Sequence, residues 1–135
     1  MMENLRMENK YLTNYLQIAV DPQKGCLVQI WTGYCTPEEF REGQQKSLDL
    51  FVENHCVHFV SDTTNACPLR KEDLDWVSRN ITPKLRDAGM SVINFVLSSS
   101  AYTRLTLEML EEVDRDINNI PMRYFGSLEC ALDSI

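Results

Sequence analysis

"VHFVSDTTNACP", residues 57–68, joins a bulky apolar run to a string of small hydrogen-bonding side chains. Val57 to Val60 is short and bulky, as a central strand buried on both faces requires. Ser61-Asp62-Thr63-Thr64-Asn65 reads as a polar exit from that strand, with a loop through Pro68 before the next helix. Three readings of the exit stay open. It can be a turn closed by Asx hydrogen bonds from Asp62 and Asn65. It can be a cradle that touches a ligand or partner. It can also present Thr63 or Thr64 as a phosphoacceptor.

Upstream of this stretch, Tyr15 to Val20 has strand composition and Asp21-Pro22-Gln23-Lys24-Gly25 is a strong turn signal. Cys26 to Trp31 then alternates, with Leu27, Gln29 and Trp31 on one face and Cys26, Val28 and Ile30 on the other. The pair predicts an antiparallel hairpin. Thr36-Pro37-Glu38-Glu39 is a capping box that opens a helix to about Asn54. Phe40, Leu48, Phe51 and Val52 are its expected buried side chains. Gln44 and Ser47 interrupt that stripe, which points to a face only partly buried.

Downstream, Leu74, Val77, Ile81, Leu85 and Ala88 recur at helical steps that pass through Pro83. One helix from about Lys71 to Ala88, kinked at the proline and stopped by Gly89, is the expected result. Ser91 to Leu97 reads as a buried strand, and Ser98-Ser99-Ser100 as a second polar exit. A third helix follows with Leu110, Val113 and Ile117 inward. Pro121 to Phe125 reads as an edge strand, and Ser127 caps a short last helix. Strands separated by helices make right-handed crossovers. The fold class is therefore α/β: a single domain over residues 1–135 with a mainly parallel sheet of about five strands. One hairpin strand is antiparallel, helices pack on the sheet, and residues 1–13 form a loose extension.

A chain of 135 residues that is 44% hydrophobic fits one globular domain with a real core. Its formal net charge of −7, with no basic cluster, speaks against nucleic acid and anionic membrane surfaces. No apolar run reaches membrane-spanning length and no secretory leader is visible, so the expectation is a cytoplasmic protein with its five cysteines reduced. A Gly-rich phosphate loop and a Gly-x-Ser-x-Gly elbow are both missing from the sequence, and no cofactor is implied.

The order of several short motifs resembles the STAS-like domains, in particular the SpoIIAA-like branch, which is related to CRAL-TRIO lipid-exchange domains. Those motifs are Trp31-Thr32-Gly33 before Pro37-Glu38-Glu39-Phe40, Ser61-Asp62-Thr63-Thr64, and Glu72-Asp73-Leu74-Asp75-Trp76-Val77. The last is Arg123-Tyr124-Phe125 before Leu128-Glu129-Cys130-Ala131-Leu132. The resemblance implies a non-catalytic regulatory or protein-interaction domain, or a carrier of a small apolar or anionic ligand. A protein partner follows from the first, and a dimer stays open. In that family a phosphorylated serine lies in Asp-Ser-Ser-Gly after the third strand. Asp62-Thr63-Thr64 matches it in chemistry, whereas Asn65 replaces the glycine.

Ligands of open α/β sheets collect at the carboxyl ends of parallel strands. The candidate contact residues are therefore Asp62, Thr63, Thr64 and Asn65, with Ser98, Ser99 and Ser100 beside them and Gly33 and Tyr34 in the preceding connection. Trp76, one residue off the inward stripe, is expected to flank the same pocket. Cys35 and Cys67 approach each other if both loops lie at one sheet end. His55-Cys56-Val57-His58 has no second paired ligand motif, and no metal is assigned to it.

Overall fold

The computed structural model describes residues 7–98 and 101–135. The expected hairpin forms from β2 (Leu16–Asp21) and β3 (Cys26–Gly33), paired antiparallel from Leu16↔Trp31 to Asp21↔Cys26. Asp21 Oδ1 accepts from the amides of Gln23 and Lys24 at 3.0 and 3.2 Å. Gly25 supplies the left-handed backbone, φ +63°, that closes the turn. A further strand, β1 (Glu8–Leu12), pairs antiparallel with β2. Its mostly exposed side chains explain why it reads as a loose extension: an edge strand needs no apolar face. Residues 1–6 of that expected extension lie outside the described residues.

The sheet has six strands in the order β1-β2-β3-β4-β5-β6. It continues from β3 into β4 (His58–Ala66), β5 (Ile93–Val96) and β6 (Met122–Phe125), all parallel to their neighbours. Ser61 to Ala66 does not leave the sheet as a loop; it is the second half of β4. Val57, exposed, lies outside the strand. Ile30 pairs with Asp62 and Thr32 with Asn65, so Thr63 and Thr64 together face the single residue Trp31. This β-bulge is what lets small polar side chains continue a central strand.

Helix α1 (Pro37–Glu53) begins with the full capping box: Thr36 Oγ1 accepts from the Glu39 amide at 3.1 Å and Glu39 Oε1 from the Thr36 amide at 2.9 Å. It buries Phe40, Leu48 and Phe51 as expected, but Val52 is 52% exposed and faces away. The helix expected over 71–88 keeps its apolar register and breaks into α2 (Lys71–Asn80) and α3 (Thr82–Asp87). The break falls at Ile81, two residues before Pro83, because proline restricts the residue before it and cannot donate to the turn below. Helix α4 (Ala101–Arg115) buries Leu107, Leu110 and Asp114, while Val113 and Ile117 are only half-buried. Ser127 Oγ accepts from the Cys130 amide at 3.1 Å and starts α5 (Leu128–Asp133).

Strands β3 to β6 advance in one direction, so crossovers of one hand place α1 to α4 on the same face. The buried contacts agree. Phe40, Phe51, Leu74, Val77, Leu85, Leu107 and Leu110 share one core with Leu27, Trp31, Phe59 and Phe95. The opposite face holds a smaller core in which Ala131 and Leu132 of α5 cover Cys26, Val28, Val60 and Val96.

Helix α1 packs tightly on the sheet at Gly43, where an added Cβ would stand 2.6 Å from Leu16 Cδ2 and 2.8 Å from Trp31 Cη2. Gly43→Ala should therefore destabilise the domain by about 1–3 kcal/mol in urea denaturation, despite the gain in helix propensity. A gain of about 1 kcal/mol, the outcome for an exposed helical glycine, would contradict this close approach.

Candidate functional site

Beneath α1 the sheet carries a buried glutamine. Gln29 lies on the inward face of β3 between Leu27 and Trp31, and is 1% exposed. A carboxamide there is tolerable only if all of its groups are paired. Its Nε2 donates to Gln44 Oε1 at 2.9 Å and to Ser47 Oγ at 2.8 Å, both on α1. Its Oε1 accepts from Trp31 Nε1 at 3.1 Å and from Ser61 Oγ at 3.0 Å. Ser47 Oγ in turn donates to the Gly43 carbonyl at 2.9 Å. Gln44 and Ser47 thus do not loosen the helix face; they are the buried half of a satisfied network.

Beside that network the layers separate. A cavity of about 90 Å³ lies between the sheet and α2, α3 and α4, with Phe40 and Gln44 of α1 at its side. Its wall is mainly apolar and includes Phe59, Leu74, Val77, Leu85, Phe95 and Leu110. Gln29, Ser61 and Thr63 add polar atoms from the sheet, and Ser78, Thr82 and Asp114 add them from the helices. Gly33, Cys35 and the segment from Ala66 to Leu69 line its outer end, at the carboxyl ends of β3 and β4. Ile93 and Met122, the first residues of β5 and β6, line the inner end. The cavity is therefore a narrow slot along the strands. The inner end is closed by bonds among the helices: Asn118 Nδ2 donates to the Ser78 carbonyl at 2.6 Å and to Asp114 Oδ1 at 2.8 Å. Asp114 Oδ2 accepts from the Ile120 amide at 3.0 Å.

The expected contact residues divide across this geometry. Thr63 lines the slot, and its Oγ1 donates to the Val96 carbonyl at 2.8 Å, where β5 ends. Gly33 lines the outer end; Tyr34, 73% exposed, stands next to it. Asp62 projects from the other face of β4, because it alternates with Ser61 and Thr63. Its Oδ1 accepts from the Thr64 amide at 3.0 Å and from Thr64 Oγ1 at 2.6 Å. The Asx bond of a turn is therefore present, but inside a bulge. Asn65 is exposed opposite Thr32. Ser98 is half-buried, while Ser99 and Ser100 lie outside the described residues.

Trp76 does not reach the slot. It packs under Arg41, whose guanidinium lies 5.2 Å from the ring centroid. Arg41 Nη2 also stands 3.6 Å from Asp73 Oδ1, and Arg70 Nε 3.2 Å from Asp73 Oδ2, so the buried Asp73 is held between two arginines. Cys56 belongs to the core under the helices whereas His58 precedes Phe59 on the other face of β4, so the two do not share a face. Among the described residues no three histidine, cysteine or acidic side chains converge on a metal-sized site.

Cys35 and Cys67 do come together at the outer end. Burial, and then Glu39, Asp73 and Cys67, push the Cys35 thiol up to about 11. A thiol so raised is protonated at neutral pH and is a poor nucleophile. Burial likewise pushes Cys26 up to about 12 and Cys56 up to about 11.

Protein-family models, curated proteins and solved structures all yield no match to this chain.

Gln29→Leu removes the partners of Gln44 Oε1, Ser61 Oγ and Trp31 Nε1 together, and should cost at least about 3 kcal/mol of stability in urea denaturation. A loss under about 1 kcal/mol would mean those groups find other partners. Thiol labelling at pH 8 should modify exposed Cys67 and Cys130 first. Cys35 should follow slowly, its rate still rising as pH approaches about 11; a Cys35 rate that levels off near neutral pH would contradict the raised thiol.

Proposed function

We propose that this chain is a non-catalytic binding domain of the STAS-like type that takes up a slender, mainly apolar small molecule in the slot between sheet and helices. The slot itself is the observation that carries the proposal. Protein interiors pack to near crystal density, and a continuous void along one layer is a departure from that rule. At about 90 Å³ it is well below the ~300 Å³ typical of pockets for drug-sized ligands. That magnitude favours an unbranched chain over a fused ring system. Apolar walls with a few placed polar groups are the usual make-up of a small-molecule site.

The binding role is supported over a catalytic one by the state of the polar groups. Gln29, Ser61, Thr63 and Asp114 are already engaged in hydrogen bonds, and the Cys35 thiol is held protonated. A reducing, cytoplasmic setting belongs to the same proposal. Among the described residues no helix is long and apolar enough to cross a membrane.

Contact with a protein partner is a second reading with one observation of its own. Tyr34 is a large, strongly exposed aromatic at the rim of the outer end, beside exposed Cys67 and Pro68. Such a rim suits a partner that reads the loaded slot.

Native mass spectrometry of protein purified without detergent should show a co-purifying small molecule, or uptake of added aliphatic probes. Leu110→Trp fills the slot and should abolish that uptake with the fold retained by circular dichroism. Undiminished uptake by the filled variant would place binding elsewhere.

A further inference from the structure

We propose that the inner end of the slot is a hydrogen-bonding subsite centred on the Ser78 hydroxyl, which receives the terminal hydroxyl of an unbranched aliphatic alcohol. This rests on the reading of the slot as a binding cavity. Ser78 stands on α2 one turn past Leu74, lines the slot, and is 0% exposed. Its carbonyl is occupied by Asn118 Nδ2. Its hydroxyl has no hydrogen-bond partner among the described residues. A serine inside a helix ordinarily turns its hydroxyl back to the carbonyl four residues earlier, and here that bond is not made. A buried hydroxyl left in this state carries its desolvation penalty in the empty protein and recovers it when a ligand supplies the partner.

The surroundings select the polar group. Asp114, 1% exposed, lines the same end, with each carboxylate oxygen already held by Asn118 or Ile120. A ligand carboxylate or phosphate would approach this buried anion at low dielectric and be repelled. A neutral hydroxyl can both donate to and accept from Ser78. The rest of the ligand then runs outward between Leu74, Val77, Phe95 and Leu110, and its methyl end reaches Gly33 and Cys35.

The experiment titrates wild type and Ser78→Ala with 1-hexanol, hexane and hexanoate, following side-chain methyl signals of the slot by NMR. Wild type should bind hexanol and hexane, and hexanoate much more weakly. Ser78→Ala should lose about three- to tenfold in hexanol affinity and keep its hexane affinity. The empty variant should melt a few degrees higher than wild type, because the unpaired hydroxyl is gone. Equal hexanol affinity in the two proteins would overturn the subsite while leaving the slot reading intact. Hexanoate binding as tightly as hexanol would overturn the preference for a neutral group. No binding of any probe by wild type would overturn the slot reading and the subsite with it.

Discussion

The carboxamide of Gln29 fastens the sheet to the helix layer. Four hydrogen bonds radiate from it: two to α1, one along β3 to Trp31 and one across to Ser61 of β4. Because a buried polar group must be paired, these bonds hold α1 at one height and one rotation over the strands. Gly43 permits the approach they demand, since any larger residue would meet Leu16 and Trp31. Helices α2 and α4 meet the sheet differently. They rest on Phe59 and Phe95 through apolar contacts and are tied to each other at one end by Asn118. The slot lies beside the Gln29 network, under α2 and α4.

Strand order adds to this. In open α/β sheets a crevice forms where the order reverses and neighbouring crossovers leave on opposite faces. Here the order never reverses, so β3 to β6 send every crossover helix to the same side. No topological switch point arises among these strands for that reason. The available space is inside the sheet–helix layer, and its outer end reaches the carboxyl ends of β3 and β4 through Gly33 and Ala66.

Much of the fold is legible in the residues. The Asp21–Gly25 turn, the Thr36–Glu39 capping box and the Ser127 cap are local devices whose chemistry is complete within a few positions, and each forms as read. What misleads is polar composition inside regular structure. Ser61 to Asn65 looks like a loop, yet Thr63 and Asp62 satisfy their own polar atoms within a bulge, which only strand pairing reveals. β1 is polar because it is an edge, not because it is unstructured. The candidate site is legible in part: Gly33 and Thr63 line the slot, whereas Asp62 and Trp76 face other surroundings. The missed signal was a matched pair of polar interruptions. Gln29 breaks the inward face of β3 and Gln44 with Ser47 breaks the stripe of α1, and two such defects are affordable only if they meet. Ser78, beside Val77 in the apolar register of α2, gives no comparable hint, because its importance comes from a bond it does not make.

A mainly apolar slot runs under α2 and α4 beside the polar anchor at Gln29. A crystal structure under xenon pressure tests it most directly, since xenon seeks preformed apolar voids and forms no hydrogen bonds. Xenon should bind against Leu74, Val77, Phe95 and Leu110, with the Gln29 bonds undisturbed. Helices packed directly onto Phe59 and Phe95, with no xenon between the layers, would contradict it.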